Sequence, residues 1–153
     1  MALREEAPRD IKRDGRATAD VSTLERTAMI KHHHFIGRFE VAQPPLGGEH
    51  AYLEDWMEKL IKSQGMNILS GPHVAYVDKA GNRGLTGVAI IETSHVAVHI
   101  WDETSPALVQ LDFYTCGTLD KDAILRAINP WGVVKKAFLV LDREKDVEAL
   151  EIA

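Results

Sequence analysis

The residues best suited to chemistry lie in one stretch of the chain, 84–117, which reads GLTGVAIIETSHVAVHIWDETSPALVQLDFYTCG. It contains a hydroxyl, two imidazoles, a Trp-Asp-Glu triplet and the single thiol of the protein. Hydroxyls and thiols can act as nucleophiles, and imidazoles carry protons near neutral pH. The groups are Ser94, His95, His99, Trp101, Asp102, Glu103 and Cys116.

The residues 95–101 alternate with the period of a β-strand. In an extended strand, one face would carry His95, Ala97, His99 and Trp101, and the other would carry Val96, Val98 and Ile100. The second face is apolar and typical of a core, whereas the first is polar and aromatic and typical of a site. Ser94 falls on the apolar side, so we expect a bulge or bend there if Ser94 and His99 share one site.

The elements that must position these residues follow from the same patterns. We expect strands at 32–42, 66–78, 85–92, 95–101, 107–115 and 134–142, the second of them interrupted by Gly71 and Pro72. Helical spacing is found at 49–65 and 119–132. With the interrupted segment 66–78 not counted as a full strand, the element order that we predict is β-α-β-β-β-α-β. It indicates an α+β two-layer sandwich, an antiparallel-rich sheet with helices on one face.

The composition limits the class of protein. The 153 residues carry a net charge of -5, and the basic face of a nucleic-acid-binding protein is not indicated. No apolar run reaches the length of a membrane span, and one cysteine fits a reducing compartment, so we expect a cytoplasmic protein. The charged segment 1–31 is predicted to be a flexible extension of a single domain, 32–153. A sheet covered on one side only predicts a homodimer with a four-layer αββα arrangement.

Three blocks in this order carry a resemblance to a known family. They are GLTG at 84–87, TSHVAVHIWDE at 93–103 and DFYTCG at 112–117, with a weaker fourth block, HHFI, at 33–36. The chain thereby resembles the prokaryotic S-adenosylmethionine decarboxylases, which are small, self-processing enzymes of polyamine synthesis. The resemblance covers roughly residues 32 to 142.

The resemblance implies a cut between Thr93 and Ser94 that converts Ser94 into a pyruvoyl cofactor, without a metal. His99 would assist this processing, with Thr86 and Thr93 in support, and Cys116 would return a proton to the substrate carbon. The pyruvoyl group would bind the substrate amine as a Schiff base and act as an electron sink. A small-molecule substrate would be bound by residues matching the second block, namely Glu103, Trp101 and His95.

Some positions depart from the family pattern. Thr93 replaces a glutamate, and Asp102 replaces a proline and adds a charge beside the pocket. Ala80 and Asn82 stand where an adenine-stacking aromatic residue and a proline are usual, and Tyr76 is a candidate to compensate. Two alternatives therefore stay open: a pyruvoyl-dependent ornithine or arginine decarboxylase, and a non-catalytic homologue that regulates an active partner. Taken alone, Ser94, His95, Trp101 and Cys116 could also be purely structural.

Overall fold

A six-stranded antiparallel sheet forms the centre of the protein, in a computed structural model that describes residues 31–148. The strands lie in the spatial order β2-β3-β4-β5-β1-β6, and every neighbouring pair is antiparallel. Their bounds are β1 His33–Val41, β2 Ile68–Val77, β3 Gly84–Ile91, β4 Ser94–Trp101, β5 Ala107–Thr115 and β6 Val133–Asp142.

Two main helices accompany the sheet: α1, His50–Ser63, and α2, Lys121–Ile128. Helix α1 is followed by Gly65, whose φ of +71° is a left-handed conformation that glycine adopts readily. Helix α2 begins at Asp120, whose carboxylate accepts hydrogen bonds from the backbone N–H groups of Asp122 and Ala123. A 3-10 turn, Asn129–Trp131, follows α2, and a one-turn helix, α3 Lys145–Glu148, follows β6.

The core lies between the helices and one face of the sheet. Alternate residues of β1, β4 and β5 are buried there, together with the apolar stripe of α1. Burial of one such side chain contributes about 1.5–3 kcal/mol, which is why the period of two is strictly kept along these strands. The core members on the three strands are Phe35, Phe39, Val41, Val96, Val98, Ile100, Ala107, Val109, Leu111 and Phe113.

The predicted α+β class is confirmed, and the predicted element order is wrong by one strand. Four strands, β2 to β5, lie between α1 and α2, where the order β-α-β-β-β-α-β has three. The segment interrupted by Gly71 and Pro72 is a full strand despite two register shifts in its pairing with β3. The predicted extension 1–31 lies, apart from Lys31, outside the described residues. None of the described helices is long and apolar enough to cross a membrane.

The second face of the sheet carries no helix within residues 31–148, and we call it the open face. Its side chains form rows across the strands, as the register shows. One row contains His95 and Tyr114, the next contains Val88 and Ala97, and a third contains Thr86 and His99. Five apolar side chains of this face are well exposed: Ile36, Val77, Val88, Ile90 and Leu139.

Candidate active site

The predicted cut lies in the tight turn between β3 and β4. Ile91 pairs with Ser94, so the turn consists of Glu92 and Thr93 alone. Asn67 holds the turn in two ways: its carbonyl accepts from the Glu92 N–H at 3.1 Å, and its side-chain amide donates to the Glu92 carboxylate at 2.9 Å. The peptide bond between Thr93 and Ser94 is therefore presented on a fixed hairpin.

Ser94 has an unusual backbone conformation. Its φ is +143°, and it is the only residue other than glycine with a positive φ among residues 31–148. Such a conformation is costly for an L-residue and is a form of strain found at functional sites. The hydroxyl of the half-buried Ser94 lies 3.2 Å from Nδ1 of His95. Strand β4 pairs with β3 and β5 through Ser94 without a register shift, and the Ser94 hydroxyl lies beside His95.

The carbonyl group that Ser94 would attack is held from the opposite strand. The backbone N–H of Cys116 donates to the Thr93 oxygen at 2.9 Å. Cys116 is kept there by its neighbours, since the buried Thr115 hydroxyl accepts from the Gly117 N–H at 2.9 Å and His33 Nδ1 bonds the Gly117 oxygen at 3.1 Å. We call Thr93, Ser94, His95, Tyr114 and Cys116 the Ser94 group.

The side chain of Thr93 faces away from this chemistry. Its hydroxyl donates to the sulfur of Met66 at 3.3 Å, on the core side of the sheet. The buried Thr115 hydroxyl lies 3.7 Å from the same sulfur. Thr93 thus contributes its backbone carbonyl to the site, while its side chain anchors the turn on Met66.

Tyr114 lies beside His95 on the open face and is surrounded by cationic and imidazole groups. The two rings meet edge to face with centroids 5.6 Å apart. The tyrosine hydroxyl and Nδ1 of His32 are 2.7 Å apart, and the guanidinium of Arg143 lies 4.5 Å above the ring. His34, on the other side, bonds Asp112 at 2.8 Å. Because these contacts hold Tyr114 in place, they also restrict the His95 ring that packs against it.

His99 belongs to a second cluster, two rows away along β4. Its Nδ1 lies 3.1 Å from the Thr86 hydroxyl, and its ring stacks on Trp101 with centroids 5.8 Å apart. Trp101 in turn donates its indole N–H to the side-chain oxygen of Asn82 at 3.0 Å. We call Asn82, Thr86, His99 and Trp101 the His99 group. They line a cavity of about 260 Å³, together with Val77, Gly84 and Ile100.

The two glycines of the GLTG block are required for different structural reasons. Gly84 has a φ of +149°, and a Cβ atom there would lie 1.7 Å from the carbonyl oxygen of Ile100. At Gly87 a Cβ atom would lie 2.5 Å from the sulfur of Met57 on α1. The block therefore lets β3 approach β4 on one side and α1 on the other, which places Thr86 next to His99.

The two carboxylates after Trp101 are engaged within the protein. Asp102, whose side chain is only 5% exposed, pairs with Arg83 at 2.8 Å, and this hydrogen bond raises the pKa of Arg83. Glu103 accepts from the backbone N–H groups of Gly81 and Arg83 at 2.8 and 3.3 Å. The charge that Asp102 was expected to add beside the pocket is therefore paired with Arg83.

The expected replacement for the missing aromatic residue is not supplied by Tyr76. Its pairing partner Leu85 is buried, and Tyr76 packs against the core and against Gly47 on the helix side. It therefore lies on the face opposite His99. Ala80 is exposed in the turn before β3, and Asn82 bonds Trp101. Trp101 is the aromatic ring that borders the cavity.

The Ser94 and His99 groups are separate within one chain. Ser94 and His99 are five residues apart on β4, which corresponds to roughly 16 Å at the rise of a β-strand. Cys116 and His95 lie beside Ser94, whereas Thr86, Trp101 and Glu103 lie toward His99. Within a single chain, Ser94 and His99 therefore do not share one site.

Several residues of the site were not identified from sequence. Tyr114 and Asp112 lie within the DFYTCG block, on the same parity, and could have been found by pairing that strand with His95. Asn82 and Arg83 gave no local signal, because their partners lie nineteen residues away. Within residues 31–148, no group of three His, Cys, Asp or Glu side chains is arranged to hold a metal ion.

Comparison with known proteins identifies the same part of the chain. A family profile described as S-adenosylmethionine decarboxylase matches residues 32–130. An S-adenosylmethionine decarboxylase proenzyme from Clostridium kluyveri is 31% identical over 84 residues, which are 55% of this chain and 59% of that relative. The chain thus spans less than two thirds of the length of that relative. A proenzyme of the same name from Hydrogenobaculum is 27% identical over 110 residues, covering 69% of this chain and 78% of the relative.

A solved structure supports the fold. The adenosylmethionine decarboxylase of Aquifex aeolicus superposes with a TM-score of 0.53 at 21% identity, covering 74% of this chain and 90% of that one. The family profile spans well over half of the chain and contains β1 to β5, α1 and every residue of the two groups. From this match we conclude that the chain belongs to the S-adenosylmethionine decarboxylase family.

Proposed function

We propose that this protein is an S-adenosylmethionine decarboxylase that makes a pyruvoyl group from Ser94 by cutting itself after Thr93. The observation that carries the proposal is the geometry of the bond between these residues. A strained serine follows a carbonyl that already accepts a backbone hydrogen bond from Cys116. An N–H group aimed at a carbonyl oxygen stabilises the negative charge that develops there when a nucleophile adds.

The surroundings of Ser94 fit the group that the family makes there. The residue is half-buried beside the exposed His95, and a cut before it leaves it at a chain end next to the Cys116 backbone. A pyruvoyl group supplies an electron sink for decarboxylation. In this proposal the half-buried thiol of Cys116 holds the proton that replaces the departing carboxylate on the substrate carbon.

The site is completed by a second copy of the chain. The row of Val88 and Ala97 lies between the row of His95 and the row of His99, and its exposed apolar side chains require cover. A two-fold axis along this middle row would face each His95 row with the partner's His99 row. The small Ala97 permits close approach of two sheets, which pack about 10 Å apart. The homodimer with a four-layer αββα arrangement therefore supplies His99 to Ser94 across the interface.

The cavity of the His99 group would receive the substrate. Trp101 offers an aromatic ring beside it, and Glu103 keeps acceptor capacity for ribose hydroxyls because a carboxylate accepts about four hydrogen bonds. S-adenosylmethionine is favoured over ornithine and arginine because Asp102, the group that suited a basic amino acid, is paired with Arg83. The deciding measurement is the release of labelled carbon dioxide from these three substrates side by side. Release of carbon dioxide from ornithine or arginine, but not from S-adenosylmethionine, would contradict the proposed substrate.

The self-cutting reaction is tested on the purified full chain. We expect a denaturing gel to resolve a 93-residue and a 60-residue chain, the second without a free amino terminus. Ser94→Ala is the control and should remain a single chain of 153 residues. A wild-type protein that stays intact after long incubation would contradict the proposal and favour a non-catalytic homologue.

A further inference from the structure

His95 is the side chain that contacts the Ser94 hydroxyl, at 3.2 Å through Nδ1. We propose that His95 is a catalytic residue of the cut, the base that takes the proton from Ser94 in the first step. This inference rests on the proposed function and assigns that step to a residue that the family resemblance placed only in substrate binding. His99 then acts after the bond has rearranged.

The first support is geometric. The three parts that an acyl shift needs meet around one peptide bond: the Ser94 hydroxyl as nucleophile, the Cys116 N–H on the carbonyl oxygen, and an imidazole nitrogen on the hydroxyl. The positive φ of Ser94 brings its hydroxyl next to a side chain of the open face, although Ser94 follows the parity of the buried Val96. The strain at Ser94 therefore has a function in this scheme.

The second support is that His95 is held in place. Tyr114 packs against its ring edge to face, and Tyr114 is itself fixed by His32 and by the guanidinium of Arg143. A general base must keep its nitrogen within hydrogen-bond reach of the proton that it removes. In the tautomer that carries its own proton on Nε2, the Nδ1 atom of His95 accepts from the hydroxyl, and the His95 residue is exposed to solvent.

The third support is the distance to the other candidate. His99 of the same chain is roughly 16 Å from Ser94, and its Nδ1 is engaged with the Thr86 hydroxyl. His99 can reach Ser94 only from a second copy. His95 needs no partner, so the first step can begin in each folded chain by itself.

The step is balanced within the chain. The Ser94 oxygen forms a bond to the Thr93 carbonyl carbon while its proton passes to Nδ1 of His95. The carbon–nitrogen bond of the peptide then breaks, and its electron pair stays on the Ser94 nitrogen, which takes the proton back from His95. The product is an ester between Thr93 and the Ser94 side chain with a free amine. No oxidant, reductant or other reactant is consumed.

The test compares His95→Ala with His99→Ala in the full-length chain. Neutral hydroxylamine cuts an ester but leaves a peptide bond intact, so it reports how far each variant has progressed. We expect His95→Ala to stay intact with and without hydroxylamine, because the peptide bond has not rearranged. We expect His99→Ala to accumulate the ester and to be cut at residue 93 by hydroxylamine. General base catalysis is typically worth a hundredfold or more, so the His95→Ala rate should fall by about that factor.

Two controls separate catalysis from folding. Added imidazole should restore cutting in His95→Ala, because a small base can enter the vacated space on the open face, and a merely structural role would not be rescued in this way. His50→Ala is the matched variant, since His50 begins α1 on the other side of the sheet, and it should cut at the wild-type rate.

The outcomes are distinct. Wild-type cutting by His95→Ala, or ester accumulation in that variant, would overturn the role of His95 while leaving the proposed function in place. An uncut wild-type chain would overturn the proposed function itself. If the peptide bond of His95→Ala stays intact and added imidazole restores its cutting, both the role of His95 and the proposed function are supported.

Discussion

The two groups on the open face differ in what holds them. The Ser94 group is built on main-chain contacts: a strained φ at Ser94 and a backbone hydrogen bond from Cys116 to Thr93. The His99 group is built on side chains around a cavity: Thr86 and Trp101 contact His99, and Asn82 bonds Trp101. The first arrangement suits a reaction of the protein on itself, and the second suits a bound molecule. Each chain carries both groups, and in the proposed dimer the His99 group of one copy faces the Ser94 group of the other.

Mixed dimers give the sharpest test of this division. We expect Ser94→Ala and His99→Ala chains to fail separately in forming the pyruvoyl group. When the two are co-expressed with different tags, a mixed dimer has one site in which an intact Ser94 meets the partner's His99. The His99→Ala chain should then be cut into 93- and 60-residue pieces, seen on a denaturing gel after double-tag purification. Mixed dimers without any cut chain would contradict a site shared between copies.

A charged substitution in the middle row, the row of Val88 and Ala97, should keep the Ser94 group of one chain from meeting the His99 group of its partner. Ala97→Arg places a charged side chain where two sheets would meet, and solvent can accommodate it in a monomer because Ala97 is on the open face. We expect light scattering to give half the wild-type mass, and processing to stop before the pyruvoyl group forms. Ala51→Arg, at an exposed position of α1 on the other side of the sheet, is the comparison variant and should remain dimeric and processed. A dimeric, fully processed Ala97→Arg protein would show that the sheets do not stack along this row.

The backbone and the side chain of Cys116 should have separate roles. Cys116→Ser keeps the N–H that contacts the Thr93 oxygen, so we expect the cut to proceed at close to the wild-type rate. Loss of the thiol should lower kcat for decarboxylation by about a hundredfold, or give product protonated at the wrong atom. Gel analysis and product mass spectrometry measure the two effects separately. Normal turnover in Cys116→Ser would mean that the thiol only packs.

The smallest effect is expected at Asn82. Asn82→Ala removes the acceptor for the Trp101 indole N–H and leaves that ring free to turn. A net hydrogen bond is worth about 1 kcal/mol, so KM for S-adenosylmethionine should rise about fivefold with processing unchanged. Asn82→Asp retains an acceptor oxygen and should preserve most of the affinity. An equal loss in both variants would show that the bond to Trp101 is not what matters.

The sequence predicted those features that follow from local periodicity. The two faces of β4 were predicted correctly, because alternation of His95, Val96 and their neighbours depends only on the strand itself. Helix α1 was also predicted from spacing, with Gly65 just beyond its end. These features need no knowledge of which strands pair.

The features that sequence could not supply depend on pairing between distant segments. The Cys116 N–H meets the Thr93 oxygen only because β4 and β5 pair in one register, with Ser94 opposite Thr115. Tyr76 was considered as a replacement near the site, but its pairing with the buried Leu85 puts it on the helix side. The pairing of Asp102 with Arg83 could not be predicted either, because the two residues are nineteen positions apart in the chain.

The strand order has a consequence for the protein after the proposed cut. The piece 1–93 supplies β1, β2 and β3, and the piece 94–153 supplies β4, β5 and β6. Because β1 is inserted between β5 and β6, the two pieces are interleaved through three ladders: β3 with β4, β5 with β1, and β1 with β6. The severed chains would therefore stay together as one particle through dilution and chromatography. Only conditions that unfold the sheet would release one piece from the other.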